Sequence, residues 1–109
     1  MLVKLRYAPG WRVPGGGRHP HESAEAAVLR ELREEIGLTD HGRVRLADEV
    51  EEAVHFKRDR SALLIVEDVR YRPKWTWEIE QVAEFPLGAL PADTAESTLR
   101  WVEELRREL

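Results

Sequence analysis

The chain contains no cysteine, which excludes a disulfide framework and any thiolate metal site. A bound metal would have to be held by oxygen or imidazole. It also lacks any run of about eighteen apolar residues, the length a membrane-spanning helix requires, so no membrane partner is expected. The opening Met1-Leu2-Val3-Lys4-Leu5 is too short and too soon interrupted to read as a secretory signal, which makes a cytoplasmic location the default expectation. Positive charge is not concentrated anywhere: 17 Lys and Arg are dispersed among 21 Asp and Glu, for a formal net charge of -4. A long nucleic-acid duplex, which demands a basic stripe, is therefore not an expected partner. A small phosphorylated ligand is compatible with this balance, because a divalent cation reverses the sign of an acidic pocket locally.

What is present suits one domain with one modest core, since the chain has 109 residues, 42% of them hydrophobic and 35% charged. Val3, Leu5 and Tyr7 alternate with Lys4 and Arg6, predicting a strand that ends at Pro9-Gly10. Trp11-Arg12-Val13 reads as extended and Pro14 to Gly17 as a loop. Ser23 to Ile36 has helical spacing, with Val28, Leu32 and Ile36 four residues apart, Ser23 as a cap and Gly37 as the terminator. Val44 to His55 reads as extended but irregular, and Ser61 to Tyr71 as a central strand. Beyond Arg72-Pro73-Lys74, a strand is expected to put Trp75, Trp77 and Ile79 on one face and Thr76, Glu78 and Glu80 on the other. Val82 to Pro86 reads as a last extended piece before a turn at Gly88. A final helix from Asp93 aligns Leu99, Val102, Leu105 and Leu109 on one stripe. The expected class is α/β, with helices covering a sheet.

The chemistry concentrates between Gly15 and Leu38. On a helix of about 100° per residue, Glu31, Glu34 and Glu35 fall within one arc, beside the apolar arc of Val28, Leu29, Leu32 and Ile36. Like charges at these spacings repel unless a cation neutralises them. Carboxylates with carbonyls and water suit Mg²⁺ or Mn²⁺, whereas Zn²⁺ favours histidine or cysteine. Magnesium is commonly bound by one or two protein carboxylates plus substrate phosphates, so the metal implies a phosphate substrate. Gly15-Gly16-Gly17 can bring carbonyls or N–H groups close to such a ligand. Arg30 has the rigid fork needed to hold a neighbouring carboxylate, and Arg12 is a further candidate phosphate contact. The competing account of the glutamates is a solvated face laced by i,i+4 pairs such as Arg30 with Glu34.

Gly16, Glu22, Arg30-Glu31-Leu32, Glu34-Glu35 and Gly37-Leu38 fill every specified position of the motif that marks the Nudix hydrolases, and the chain resembles that family along nearly its whole length. Trp11 to Gly15, Glu84 to Leu87 and Leu90-Pro91 look like family segments too. The resemblance implies a Nudix-like α/β/α sandwich with a mixed β-sheet in one domain spanning residues 1-109. It also implies a MutT-like, Mg²⁺-dependent pyrophosphohydrolase cleaving a nucleoside diphosphate linked to another moiety. Glu31, Glu34 and Glu35 would then hold the metal, with the carbonyl of Gly15 or Gly16. Arg30 would orient Glu31, and Glu22 would tie the loop to the helix. Glu31 or Glu34 would accept the proton from the attacking water. Family members often add an acid from beyond the motif, for which Glu78 and Glu80 are candidates, Glu78 preferred.

Four aromatic residues, Trp11, Phe56, Trp75 and Trp77, could stack a base, against the alternative that they are core. His19, His21, His41 and His55 have no ligand spacing, and Lys57, Arg58 and Arg60 read either as an ordinary loop or as phosphate contacts. His21 occupies a position commonly glycine in the family. The chain has no proline between Leu38 and Tyr71 and no Ser-Gln-Pro-Trp segment, so it lacks signatures of the ADP-ribose and NADH pyrophosphatase branches. Relatives usually carry one more strand before Leu2. A sheet short of that strand would expose an edge, and the expectation is a homodimer completing it. The alternative function is a catalytically weak or inactive nucleotide-binding or regulatory protein of the same fold.

Overall fold

A computed structural model describes residues 1–15, 19–54 and 57–108. Strand β1 (Leu2–Leu5) lies between β2 (Trp11–Arg12) and β7 (Ile79–Ala83), antiparallel to both. Between β1 and β2 the chain reverses at Gly10, whose φ of +87° favours glycine. A Cβ there would lie 2.8 Å from the carbonyl oxygen of Asp93. The strand expected to reach Tyr7 stops at Leu5, where the register slips between Lys4 and Leu5, and Tyr7 stands exposed.

Helix α1 (Ala24–Ile36) has the predicted ends. Ser23 Oγ accepts the Ala26 N–H at 3.1 Å, satisfying one of the free donors of the first turn. Gly37 closes the helix in the left-handed conformation, with its N–H on the Leu32 carbonyl. It also packs directly against the carbonyl of Arg72, leaving no room for a Cβ.

Strands β4 (Val44–Val54) and β5 (Lys57–Val66) form a long antiparallel pair with a register shift between Leu46 and Asp48, the irregularity anticipated for this segment. The single strand expected from Ser61 to Tyr71 is instead two. After Val66 the chain turns at Asp68, which adopts φ 53°, and Arg70–Tyr71 (β6) pairs antiparallel with Leu38–Asp40 (β3). An alternating pattern continues undisturbed across so tight a reversal, so it is invisible to periodicity. The expected strand at Trp75 begins only at Ile79. Trp75 and Trp77 stand in water rather than on the buried face with Ile79.

Helix α2 (Glu96–Glu108) buries Thr98 and Val102 and leaves Leu99 44% exposed. Its inward stripe is therefore one residue out of phase with the Leu99-based stripe at that end, because Thr98 takes the inward position; Leu109 lies outside the described residues. Ladders between the strands are antiparallel, and Trp11 with Thr94 adds a parallel bridge. The core gathers Val3, Leu32, Ile36 and Ile79, with Val28, Leu38, Val66 and Val82 against it. Removing Ile36 completely from water stabilises the fold by about 1.5–3 kcal/mol and locks the acidic helix to the β1–β7 sheet.

Candidate active site

Because α1 buries Leu32 and Ile36, the intervening residues are carried along the border between core and solvent. Glu31 and Glu35 line one cleft of about 840 Å³, walled by β1, the Val13–Gly15 segment, β5 and α2. Glu35 Oε2 accepts the Gly15 N–H at 2.9 Å, so the glycine loop is tied to the helix across the cleft. Burial pushes the Glu35 carboxyl up to about 7. The Gly15 hydrogen bond opposes that rise, and the charges of Glu31, Glu78 and Glu34 add to it.

Beside this pair lies a denser network. Arg30 donates from Nε to Glu22 Oε2 (2.9 Å), from Nη2 to Glu22 Oε1 (3.0 Å) and from Nη1 to Glu31 Oε1 (2.8 Å). Its Nη1 also lies 3.6 Å from Glu34 Oε2. Glu22 Oε1 accepts the His19 N–H at 2.9 Å as well. The Arg30 fork, then the His19 N–H, hold Glu22 down at about 2, and the two acids in turn raise the Arg30 guanidinium. A bidentate fork fixes both position and plane, so Glu22 and Glu31 are set by the same guanidinium. His21, next to Glu22, adopts φ 65°, a region glycine enters more readily than any other residue. That is the backbone consequence of a histidine at this point of the loop.

The structure separates some of the residues grouped by sequence. Glu34 stays at the surface, its side chain 59% exposed. Among the described residues no three acidic or imidazole side chains form a ready-made metal cage. Glu78 and Glu80 part company: the charge of Glu78 acts on Glu35, whereas Glu80 lines a separate groove with Lys4, Arg6 and Asp93. Trp11 is not a free stacking surface. It is 6% exposed, edge-on to Phe85 at 5.0 Å and covered by the Lys4 ammonium at 5.3 Å, and so belongs to the core. Arg12 lines the cleft, with Nη2 on the Pro9 carbonyl at 3.2 Å and Nε buried without a partner. Gly16 and Phe56 lie outside the described residues, as do His55 and the side chains of Lys57, Arg58 and Arg60.

Sequence reasoning missed the contribution of α2, whose Ser97, Thr98, Trp101 and Leu105 line the cleft. Thr98 is fully buried, and its Oγ1 accepts the Val13 N–H at 3.2 Å, two residues before the glycine that holds Glu35. The available signal was the small hydroxyl residue at an inward helix position, but a partner 85 residues away has no local signature.

Among described residues no helix is long and apolar enough to cross a membrane. A sequence profile of the NUDIX domain matches residues 1–105. A Bacillus subtilis (strain 168) protein named "Putative 8-oxo-dGTP diphosphatase" is 51% identical over 37 residues, 34% of this chain and 25% of that protein. The mouse (Mus musculus) diphosphoinositol polyphosphate phosphohydrolase 3-alpha is 42% identical over 38 residues, 35% of this chain and 23% of that one. The similarity thus spans only about a quarter of the length of these relatives. The crystal structure of a MutT NUDIX hydrolase from Burkholderia pseudomallei superposes with a TM-score of 0.78 at 26% identity, covering 95% of this chain and 85% of that chain.

Proposed function

Because the chain belongs to the Nudix family, we propose that it is a pyrophosphohydrolase cleaving the diphosphate linkage of a nucleoside diphosphate joined to another moiety, with Mg²⁺ as its metal. The observation that carries this reading is the placing of Glu31 and Glu35 in one cleft, with Glu35 bound to the Gly15 N–H.

The donor set fits the metal. Every candidate ligand is oxygen, and Mg²⁺ needs only one or two protein carboxylates beside water and phosphate, which Glu31 and Glu35 can supply without a three-carboxylate cage. Glu34 would join them by turning from Arg30, and the Gly15 carbonyl is the backbone candidate. Mn²⁺ satisfies the same chemistry. When bound, the cation would lower the pKa of a water and neutralise phosphoryl oxygens. Arg30 keeps Glu31 in place, and Glu22 keeps Arg30 in place. Of the two carboxylates expected to receive the proton from water, Glu31 lines the cleft and is the favoured one. Glu78 supplies further negative charge beside Glu35. Arg12, with a spare donor, is suited to a phosphate oxygen.

The two named relatives differ in substrate chemistry, and the cleft favours the nucleotide side. Its described lining is mostly aliphatic and aromatic, including Val28, Leu63, Tyr7 and Trp101, with Arg12 as the cation. A base suits such walls, whereas a polyphosphorylated ring requires many cations. The proposed homodimer would pair the edges of the β2-β1-β7 sheet, and a light-scattering mass of one chain at micromolar concentration would dismiss it.

Product release should be measured over nucleoside triphosphates, dinucleoside polyphosphates, nucleotide sugars and a diphosphoinositol polyphosphate, with Mg²⁺ and with EDTA. Turnover of a nucleotide that EDTA abolishes is expected. Calorimetric binding of nucleotides without turnover of any would replace the hydrolase by a binding protein. Preference for the inositol compound would overturn the substrate assignment.

A further inference from the structure

The segment between β6 and β7 holds two indoles in water, Trp75 at 65% and Trp77 at 82% exposure. Such exposure forfeits apolar burial that a small domain can ill spare. The pair is nevertheless built rather than loose. The rings meet edge to face at 4.6 Å and 74°. The Arg6 guanidinium lies 5.6 Å from the Trp75 ring centre, and its Nε donates to the Thr76 carbonyl at 3.3 Å. Thr76 Oγ1 then accepts the Ile79 N–H at 2.8 Å, anchoring the segment to β7.

This cluster borders the candidate active site on two sides. Trp77 precedes Glu78, whose carbonyl accepts the Arg6 N–H at 2.9 Å and whose charge acts on Glu35. On the other side Arg6 precedes Tyr7, which is 71% exposed and lines the cleft.

We propose that Trp77, braced by Trp75 and Arg6, is a stacking platform for a second planar aromatic group of the substrate, on the far side of the phosphates from the moiety in the apolar cleft. The substrate class is therefore two bases joined through a polyphosphate, and the proposal rests on the hydrolase reading given above. An indole face takes any base, and a guanidinium at its side takes the adjoining phosphate. The apolar area is confined to the two rings, since Arg6, Lys74, Thr76 and Glu78 surround them in sequence and space. That is about the footprint of one base and far below the roughly 800 Å² per partner of a stable protein interface.

The test compares a dinucleoside tetraphosphate with the matching nucleoside triphosphate, which lacks the second base, in wild type, Trp77→Ala and Trp77→Phe. In Trp77→Ala the ratio of kcat/KM between the two should fall about tenfold, equivalent to about 1.4 kcal/mol. The loss should lie in KM for the dinucleoside compound, and Trp77→Phe should recover most of it. Because Trp77 is exposed, all three proteins should melt together, which separates stacking from folding. An unaltered ratio overturns the platform while leaving the hydrolase reading intact. If wild type turns over neither compound, calorimetry in EDTA decides: the dinucleoside tetraphosphate must bind about tenfold tighter than the triphosphate in wild type only, and equal affinities refute the platform. A mass falling from dimer to monomer in Trp77→Ala would assign the indoles to a second copy of the chain and likewise refute it.

Discussion

Replacing Glu35 by glutamine tests the electrostatics of the cleft without requiring any substrate. The glutamine keeps an oxygen for the Gly15 N–H but removes a carboxyl that burial and the charges of Glu31, Glu78 and Glu34 raise to about 7 from an ordinary 4.5. A carboxyl raised in the folded state favours folding fully below pH 4.5, and that contribution fades as pH climbs through 7. The gap between the two values sets a ceiling of about 3 kcal/mol, which screening of this partly exposed group reduces to about 1–2 kcal/mol. In EDTA, wild type should therefore lose about 1–2 kcal/mol more than Glu35→Gln between pH 5 and pH 8. Other titrating groups cancel in that comparison. In thermal melts the difference amounts to roughly 4–12 °C for a domain of this size. Adding Mg²⁺ at pH 8 should then raise the midpoint of wild type well above that of the variant. Parallel pH profiles for the two proteins in EDTA would refute the picture of an uncompensated carboxyl facing the cleft.

Other perturbations probe the surrounding parts. Arg30→Lys keeps the charge but cannot fork between Glu22 and Glu31, so Mg²⁺ affinity or kcat should fall about 10–100-fold, measured by titration calorimetry and initial rates. Glu22, held at about 2, stabilises the fold above pH 4.5 and releases that stability as pH falls toward 2. Acid unfolding monitored by circular dichroism should thus begin at higher pH in Glu22→Gln. Thr98→Val strands the buried Val13 N–H at a cost of about 1–3 kcal/mol and should weaken Mg²⁺ binding through the Gly15 loop, whereas Thr98→Ser should retain most of both in urea melts and calorimetry. Gly37→Ala meets the Arg72 carbonyl at a φ of +71° and should cost more than about 1 kcal/mol, visible as a lower urea midpoint.

Local chemistry made α1 and its acidic motif legible in advance. A cap at Ser23, a four-residue apolar repeat and a left-handed Gly37 act within one or two turns of chain, so neighbouring residues suffice to specify them. The spacing of Arg30 from Glu31 and Glu34 is likewise a property of helix geometry. What escaped were contacts between distant segments. Asp68 reverses the chain inside an uninterrupted alternating pattern, and Trp11 and Trp77 have the same intrinsic character yet opposite fates. One is closed off by Phe85 and Lys4, and the other is held out by the Arg6–Thr76–Ile79 bonds.

The amino-acid order by itself determined the family, the α/β class and an oxygen-rich candidate site for a divalent cation, because each depends on residue type and short-range spacing. Tertiary structure alone decided which carboxylates meet in the cleft, that α2 walls it, and that Thr98 braces the glycine loop. Those outcomes depend on which segments exclude water together, and burial of that kind joins residues without regard to their separation along the chain.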